Sequence, residues 1–320
     1  MKKPSFEKFN FSLRPAKNIE RKMFCEVFAR LSRIAALRTY RYLGFGANTF
    51  VDFTLFHQRL GITDMMSIEG SVAYRKRIEF NKPYSCIKMQ WGKSNTVLPN
   101  LRWKKRTIAW LDNDVRLDKD ILADIRLIIS NMRSGSVFAI TVDVDFDEDV
   151  VDESVHQVRM NELIGMVGEQ KIPLGTRPAN LAGWGFADTC RKIMNNEIDA
   201  ALSIRNAPNE PWSHLKYEQL FNIHYADRSK MLTIGGILLD RDDFGKLSAK
   251  DFDDLEFVSK ADEAYRIYAP VLTTREVHYL NGLLPRSNPD VDRPTWLPQE
   301  DRKKFGKVYR YYPAYTEVEI

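Results

Sequence analysis

Cysteine is scarce in this chain of 320 residues: Cys25, Cys86 and Cys190 are all there are, and no two stand in CxxC spacing. That leaves no basis for a disulfide framework or a cysteine-built zinc site. Cys25 falls in a helical pattern and Cys86 in a strand pattern, so both read as small buried apolar residues. The five histidines, His57, His156, His214, His224 and His278, are scattered, and none stands in an HExxH or triad spacing. No apolar run approaches the roughly 20 residues that span a bilayer, and Met1-Lys2-Lys3-Pro4-Ser5-Phe6 lacks the apolar core of a secretion signal. A cytoplasmic protein with no membrane partner is expected. Internal repeats and low-complexity tracts are absent as well.

What is there is ordinary for a globular protein, with 44% apolar and 28% charged residues. One enlarged domain is expected, burying roughly 75% of its unfolded surface. The net charge of +5 hides an asymmetry: residues 1–44 carry eleven Lys/Arg against three Glu, residues 75–107 carry ten against Glu79 alone, and residues 109–153 hold twelve acids against four bases. The two basic stretches are candidate surfaces for a nucleic-acid or protein partner, and equally read as solvated helix faces. Within the second, Arg75, Lys76, Arg77, Arg102, Lys104, Lys105 and Arg106 could meet phosphates while Trp103 stacks on a base.

Ile19, Met23, Phe24, Val27, Phe28, Leu31, Ile34 and Ala35 recur at spacings of three and four and predict a helix over 18–37. A short strand over 39–43 leads into a glycine-bearing turn and a helix with Phe50, Val51, Phe53, Leu55 and Leu60 inward, stopped at Gly61. Strands over 62–68, 84–91, 107–111 and 136–144 then alternate with helices over 71–80, behind a serine cap, and 119–129, behind Asp118. Parallel neighbours need crossover connections, so five strands separated mainly by helices predict an α/β protein with a parallel sheet. After residue 150, helices are expected near 155–167 and 186–200. Strands over 221–226 and 231–239 flank the polar turn Asp227-Arg228-Ser229-Lys230 and predict a late antiparallel hairpin. The tail, with Pro285, Pro289, Pro294 and Pro298, is expected to be irregular until residues 307–312.

The most informative run is Tyr42-Leu43-Gly44-Phe45-Gly46-Ala47-Asn48 after the first strand, with Met65-Met66-Ser67-Ile68-Glu69 ending the second. This is the local geometry that holds an adenosine-bearing ligand: the glycines let the backbone pass close, and Glu69 can accept two hydrogen bonds from a ribose diol. A G-x-G alone is also a tight strand-to-helix turn. Asp112, in Trp110-Leu111-Asp112-Asn113-Asp114, is open to two readings, acceptor-site chemistry or a turn, and Asp114 reads as structural. Asp143, Asp145, Asp147, Glu148 and Asp149 read as an acidic solvated loop. Gly183-Trp184-Gly185-Phe186 reads as a packed aromatic loop, the alternative being a flap over an acceptor pocket.

This order of elements resembles the class I S-adenosylmethionine-dependent methyltransferase fold from about Tyr40 to Asp240. More loosely, the chain is similar to bacterial O-methyltransferases, some of them in defence gene clusters. The resemblance implies a Rossmann-like, seven-stranded, mostly parallel sheet over 39–245, with an N-terminal basic arm and helix over 1–38. A C-terminal extension over 246–320 is expected to pack on the same domain. It implies S-adenosylmethionine as cofactor, with Gly44 and Gly46 beneath its methionine part and Glu69 on the ribose hydroxyls. Gln90 and Trp91 would lie beside the adenine, and Asp112 would face the transferable methyl and the acceptor. Where that family usually has an acid two residues before the first glycine, this chain has Tyr42, whose hydroxyl can hydrogen-bond but brings no counter-charge. Catechol-type relatives hold a divalent cation between acids ending the fourth and fifth strands. Asp112 and Asp143 resemble that pair, although Val144 replaces the asparagine expected next. The implied activity is methyl transfer to an unspecified acceptor. The alternatives are an inactive binding or assembly module, in a bacterial defence complex for instance, and a nucleic-acid-binding scaffold.

Overall fold

The computed structural model describes residues 13–146, 153–259, 261–285 and 296–314. The arm Met1-Lys2-Lys3-Pro4-Ser5-Phe6, the acids Asp147, Glu148 and Asp149, and Pro289 and Pro294 lie outside the described residues. In chain order the elements are α1 (Pro15–Arg30), β1 (Arg41–Gly44), α2 (Val51–Leu60), β2 (Asp64–Glu69), α3 (Arg75–Phe80), β3 (Ile87–Trp91), α4 (Ser94–Val97), β4 (Thr107–Arg116), α5 (Lys119–Asn131) and β5 (Ser136–Asp143). They continue with α6 (Glu153–Val167), α7 (Gly185–Asn206), β6 (Lys216–Ala226), β7 (Lys230–Leu239), α8 (Arg241–Phe244), β8 (Tyr265–Ile267), α9 (Thr274–Leu283) and α10 (Gln299–Val308).

The strands form one sheet in the order β3-β2-β1-β4-β5-β7-β6-β8. β1 to β5 are mutually parallel, β7 runs antiparallel between β5 and β6, and β8 lies parallel to β6. The α/β class, the mostly parallel sheet and the late hairpin are as expected. The strand count is corrected from seven to eight, because Tyr265–Ile267 adds an edge strand in a tail expected to be irregular. Three residues are too few to display a period of two.

Side chains alternate across the sheet. Tyr42, Met65, Ile108, Trp110 and Val137 face a layer built with α1 and α2, whereas Leu43, Met66, Ala109, Leu111, Phe138 and Ile140 face α5, α6 and α7. Helices thus cover both faces, as a parallel sheet requires. α1 meets the end of α10 and the segment that follows it in the first layer, where Val308 and Tyr311 join the same core as Phe24 and Phe28. Tyr311 also donates to Glu26 of α1 at 2.8 Å.

Several boundaries differ from the periodicity for identifiable reasons. α1 begins at Pro15, a residue suited to the first helical turn because its missing N–H has no partner there anyway. The amides of Ala16 and Lys17 donate to Asp227 in the β6–β7 turn at 2.9 and 3.1 Å. The helix leaves α geometry after Arg30 for the 3-10 turn Leu31–Arg33. Ser71 makes no side-chain cap; a 3-10 turn, Val72–Tyr74, precedes α3. β6 starts at Lys216 and shifts register between Gln219 and Phe221, which breaks the alternation that would have revealed it. Asp118 does cap α5, accepting from the Ile121 amide at 2.9 Å. In the tail, Thr273 and Glu276 form a reciprocal capping box that opens α9. No helix among the described residues is long and apolar enough to cross a membrane.

Candidate active site

The carboxyl ends of β1, β2 and β4 open into a cleft of about 510 Å³ lined by Gly46, Glu69 and Asp112. Three candidates read from widely separated segments are therefore on one wall system. The cleft lies between β1 and β4, where the strand order reverses direction, the usual ligand position in open α/β sheets.

The turn after β1 is pinned from two sides. The Gly46 amide donates to Ser67 Oγ at 2.9 Å, and the Gly46 carbonyl accepts from the Phe50 amide at 2.8 Å. Ala47 and Phe50 carry positive φ, 47° and 49°, so the strained backbone sits at side-chain-bearing residues and not at the glycines. Gly44 and Gly46 are required by close approach: a Cβ on Gly44 would lie 2.7 Å from the Tyr42 hydroxyl, and one on Gly46 2.7 Å from Ser67 Oγ and 2.4 Å from two carbons of the Phe50 ring. Gly44 itself does not line the cleft.

Tyr42 is fully buried, its ring edge-on to Phe53 and Phe56 at 4.8 and 4.9 Å between centroids. Its hydroxyl donates to Asp52, and it is Asp52, from the first turn of α2, that lines the cleft. A carboxylate thus reaches this corner by another route than the strand position that Tyr42 occupies. Burial pushes the Asp52 carboxyl above its ordinary value, partly opposed by Arg21 and by the Tyr42 hydrogen bond.

Glu69 closes β2, and its Oε1 accepts from the Ser71 amide at 2.7 Å, which fixes the carboxylate at the cleft wall. Gln90 and Trp91 do not reach the cleft; Trp91 carries the Arg75 guanidinium over its ring at 5.2 Å. The contribution from this strand comes from Gly92, Lys93, Ser94 and Asn95 just beyond it. Asn95 Oδ1 is buried and has no hydrogen-bond partner among the described residues. Opposite, Asp124 of α5 is 2% exposed, and burial raises its carboxyl to about 6 despite a hydrogen bond with Ser94.

Asp112 stands at the β4 side of the cleft in a polar network that sequence patterning did not reveal. Lys17 of α1 has no exposed surface; its Nζ lies 2.7 Å from Asp112 Oδ1, 2.8 Å from Glu20 Oε2 and 4.1 Å from the Trp110 ring centre. Burial alone would raise the Asp112 carboxyl, but the Lys17 charge and hydrogen bond, with Arg21 and Arg14, hold it below its ordinary value. Behind it, Trp110 Nε1 donates to Thr141 Oγ1 at 3.0 Å, and Thr141 and Thr233 hydroxyls are 2.8 Å apart. Thr233 in turn donates to Glu20. With both ends fixed, Thr141 must donate to Thr233, so the chain runs from an indole N–H to a carboxylate with every donor used. Period-two placement explains it: Trp110 and Asp112 share the α1 face of β4, and Asp112, Thr141 and Thr233 are in register across three strands.

Arg14, just before α1, and Arg21 within it also line the cleft. Their signal, charged positions next to an apolar stripe, is indistinguishable from a solvated helix face until the helix is docked. Lys105 pairs with Asp64 at 2.8 Å and Arg106 with Asp243 at 3.0 Å, so part of the basic stretch is engaged within the protein. Asp143 does not line the cleft; its Oδ1 accepts from the Asp145 amide at 2.8 Å.

A model of the family described as Putative O-methyltransferase matches residues 9–320. The chain belongs to this O-methyltransferase family. No curated protein matches it. Among solved structures, it is similar to a putative O-methyltransferase from Klebsiella pneumoniae, at 12% identity over 67% of this chain and 78% of that one, with a TM-score of 0.38. It is also similar to a putative sarcosine dimethylglycine methyltransferase from Galdieria sulphuraria, at 14% identity over 67% and 84%, with a TM-score of 0.35. A third is LepI in complex with SAM, at 10% identity over 62% of this chain and a TM-score of 0.35; the match spans only 43% of LepI.

Proposed function

We propose that this member of the O-methyltransferase family binds S-adenosylmethionine in the β1–β4 cleft and transfers its methyl group to an acceptor oxygen presented beside Asp112. The observation that carries the reading is the meeting of Gly46, Glu69 and Asp112 on one cavity at the carboxyl edge of the sheet. Its charge supports the same ligand: seven lining carboxylates, Asp52, Glu69, Asp112, Asp114, Asp118, Asp120 and Asp124, stand against Arg14, Arg21 and Lys93. Such a balance suits a ligand whose sulfonium and ammonium outweigh its one carboxylate. The residues present fit: Glu69 would hold the ribose hydroxyls, Asp52 backed by Tyr42 would face the ammonium, and the orphaned Asn95 Oδ1 would accept from the adenine amine.

Bound there, the cofactor supplies an electrophilic methyl on sulfur. The chain's own part is alignment, which for a displacement at carbon is the main lever available to a protein. A carboxylate held below its ordinary pKa is a weak proton acceptor, so Asp112 would orient the acceptor hydroxyl instead of taking its proton. The residues do not fit a divalent cation between Asp112 and Asp143, since Lys17 engages the first and the second lies off the cleft. Among the described residues no three His, Cys, Asp or Glu side chains are grouped to hold a metal, and no step is assigned to one.

Calorimetry with S-adenosylmethionine and S-adenosylhomocysteine, followed by transfer of labelled methyl to hydroxyl-bearing acceptors, tests the proposal. Saturable binding of both is expected, and failure of both to bind overturns it.

A further inference from the structure

A second cavity, of about 160 Å³, opens at the far end of the same sheet edge, over the last residues of β6 and β8. Its floor is His224, which is 1% exposed and in register with Arg266 on the neighbouring strand. Neither ring nitrogen of His224 has a hydrogen-bond partner among the described residues. Buried polar groups in proteins are nearly always matched, and an unmatched imidazole in the wall of a cavity marks where a partner is to come from. Trp184 stacks flat on the ring, with centroids 4.7 Å apart and planes 10° apart, so the imidazole cannot swing to find one elsewhere.

Ala226, two residues along the same strand face from His224, lines the cavity with only a methyl group. Around it stand Arg266, whose guanidinium is 5.7 Å from the Trp184 ring, and Lys304, whose Nζ is 5.2 Å from the Tyr268 ring. Asp301 is the one carboxylate in the wall. The cavity therefore combines a planar guanidinium, an ammonium and an unmatched imidazole, a donor set suited to an oxyanion with several acceptor lone pairs. Burial first, then the Arg266 and Arg191 charges, lower the imidazole to about 4. At neutral pH it is therefore an uncharged ring with one N–H to donate. Arg191, on α7, is paired with Asp262 at 2.9 Å and does not line the space; of the two cations that do, Arg266 and Lys304, the latter also lies 3.9 Å from Glu300 one turn before it.

We propose that this cavity is a second binding site, separate from the methyl-transfer cleft, for a small oxyanion of the phosphate or carboxylate class, held by Arg266, Lys304 and the His224 imidazole. It does not depend on the identity of the cofactor. The volume would also hold several waters, so the test must separate anion from solvent.

The imidazole nitrogens of His224 in the full chain are followed by NMR at pH 7 while inorganic phosphate, or in a parallel arm acetate, is added in the presence of saturating S-adenosylhomocysteine. A saturable shift is expected from at least one anion, phosphate alone assigning a phosphate site and both together a general oxyanion site. Arg266→Gln should weaken the response by about tenfold or more. Ala226→Leu, which fills the space, should abolish it. Lys304→Gln, on the rim, should weaken it with the melting temperature unchanged, which keeps the test valid if either of the others unfolds. No saturable shift with either anion overturns the proposal, as does an undiminished one in both Arg266→Gln and Lys304→Gln.

Discussion

Lys17 Nζ lies 2.7 Å from Asp112 Oδ1 with no exposed surface of its own, so the N-terminal helix is bound electrostatically to the stretch of β4 that lines the cleft. The same ammonium holds Glu20 at 2.8 Å. α1 is thereby part of the site wall, and its start is held from the other direction by Asp227, which accepts from its first amides. A lysine placed among two carboxylates and two aromatic rings is expected to be costly to remove, because its removal strands the acids.

Lys17→Met should destabilise the protein by about 3–5 kcal/mol, the usual consequence of breaking a buried pair from one side. Urea unfolding monitored by tryptophan fluorescence measures this. The double variant Lys17→Met with Glu20→Gln should recover part of the loss by removing one stranded charge. A single variant within 1 kcal/mol of the parent would show that the network contributes little.

Glu69→Gln keeps an oxygen for the Ser71 amide but gives up the charge. Affinity for S-adenosylhomocysteine in calorimetry should fall tenfold or more, in line with about 1.5–3 kcal/mol for a hydrogen bond to a charged group. The melting temperature should stay close to the parent's. An unchanged affinity would remove Glu69 from the cofactor site.

Gly46→Ala tests whether that glycine serves packing. The added methyl meets Ser67 Oγ and the Phe50 ring, and overpacking of this kind costs about 1–3 kcal/mol. Thermal unfolding of the unliganded variant reads the effect directly. If only ligand affinity falls while stability holds, the glycine is there for the ligand and not for the protein.

Asp124 gives a pH dependence of predictable sign. Its carboxyl is raised by burial to about 6 in the folded protein, against roughly 3.9 in an unfolded chain. The fold therefore holds the extra proton between these values. The contribution of this group to stability is fully present below about pH 4 and is lost as pH rises through about 6, on the order of 3 kcal/mol in all. Asp124→Asn should flatten that part of the profile, so that the variant gains on the parent between pH 4.5 and 7 in denaturation curves. A constant difference across this range would place the titration elsewhere.

How much of this was legible in the sequence depends on the range over which each interaction acts. The alternation of β1 to β5 with helices, the cap at Asp118 and the hairpin are local, and chain periodicity encodes them because each segment must present one apolar face to a layer. So are the segments that carry the three candidates: Gly46 stands two residues past β1, Glu69 ends β2, and Asp112 lies within β4, which runs on to Arg116 instead of ending at residue 111. Tertiary structure decided what no single segment contains. Lys17, Glu20 and Arg21 are three charges on a helix until docking turns them toward Asp112, and Asp52 meets the Tyr42 hydroxyl across a turn and brings a carboxylate to the cleft wall. The His224 cavity likewise exists only where β8, an edge strand too short to show a period, lies beside β6. Local pattern determined the alternation of strands and helices; long-range packing decided which charges are paired and which remain for a ligand.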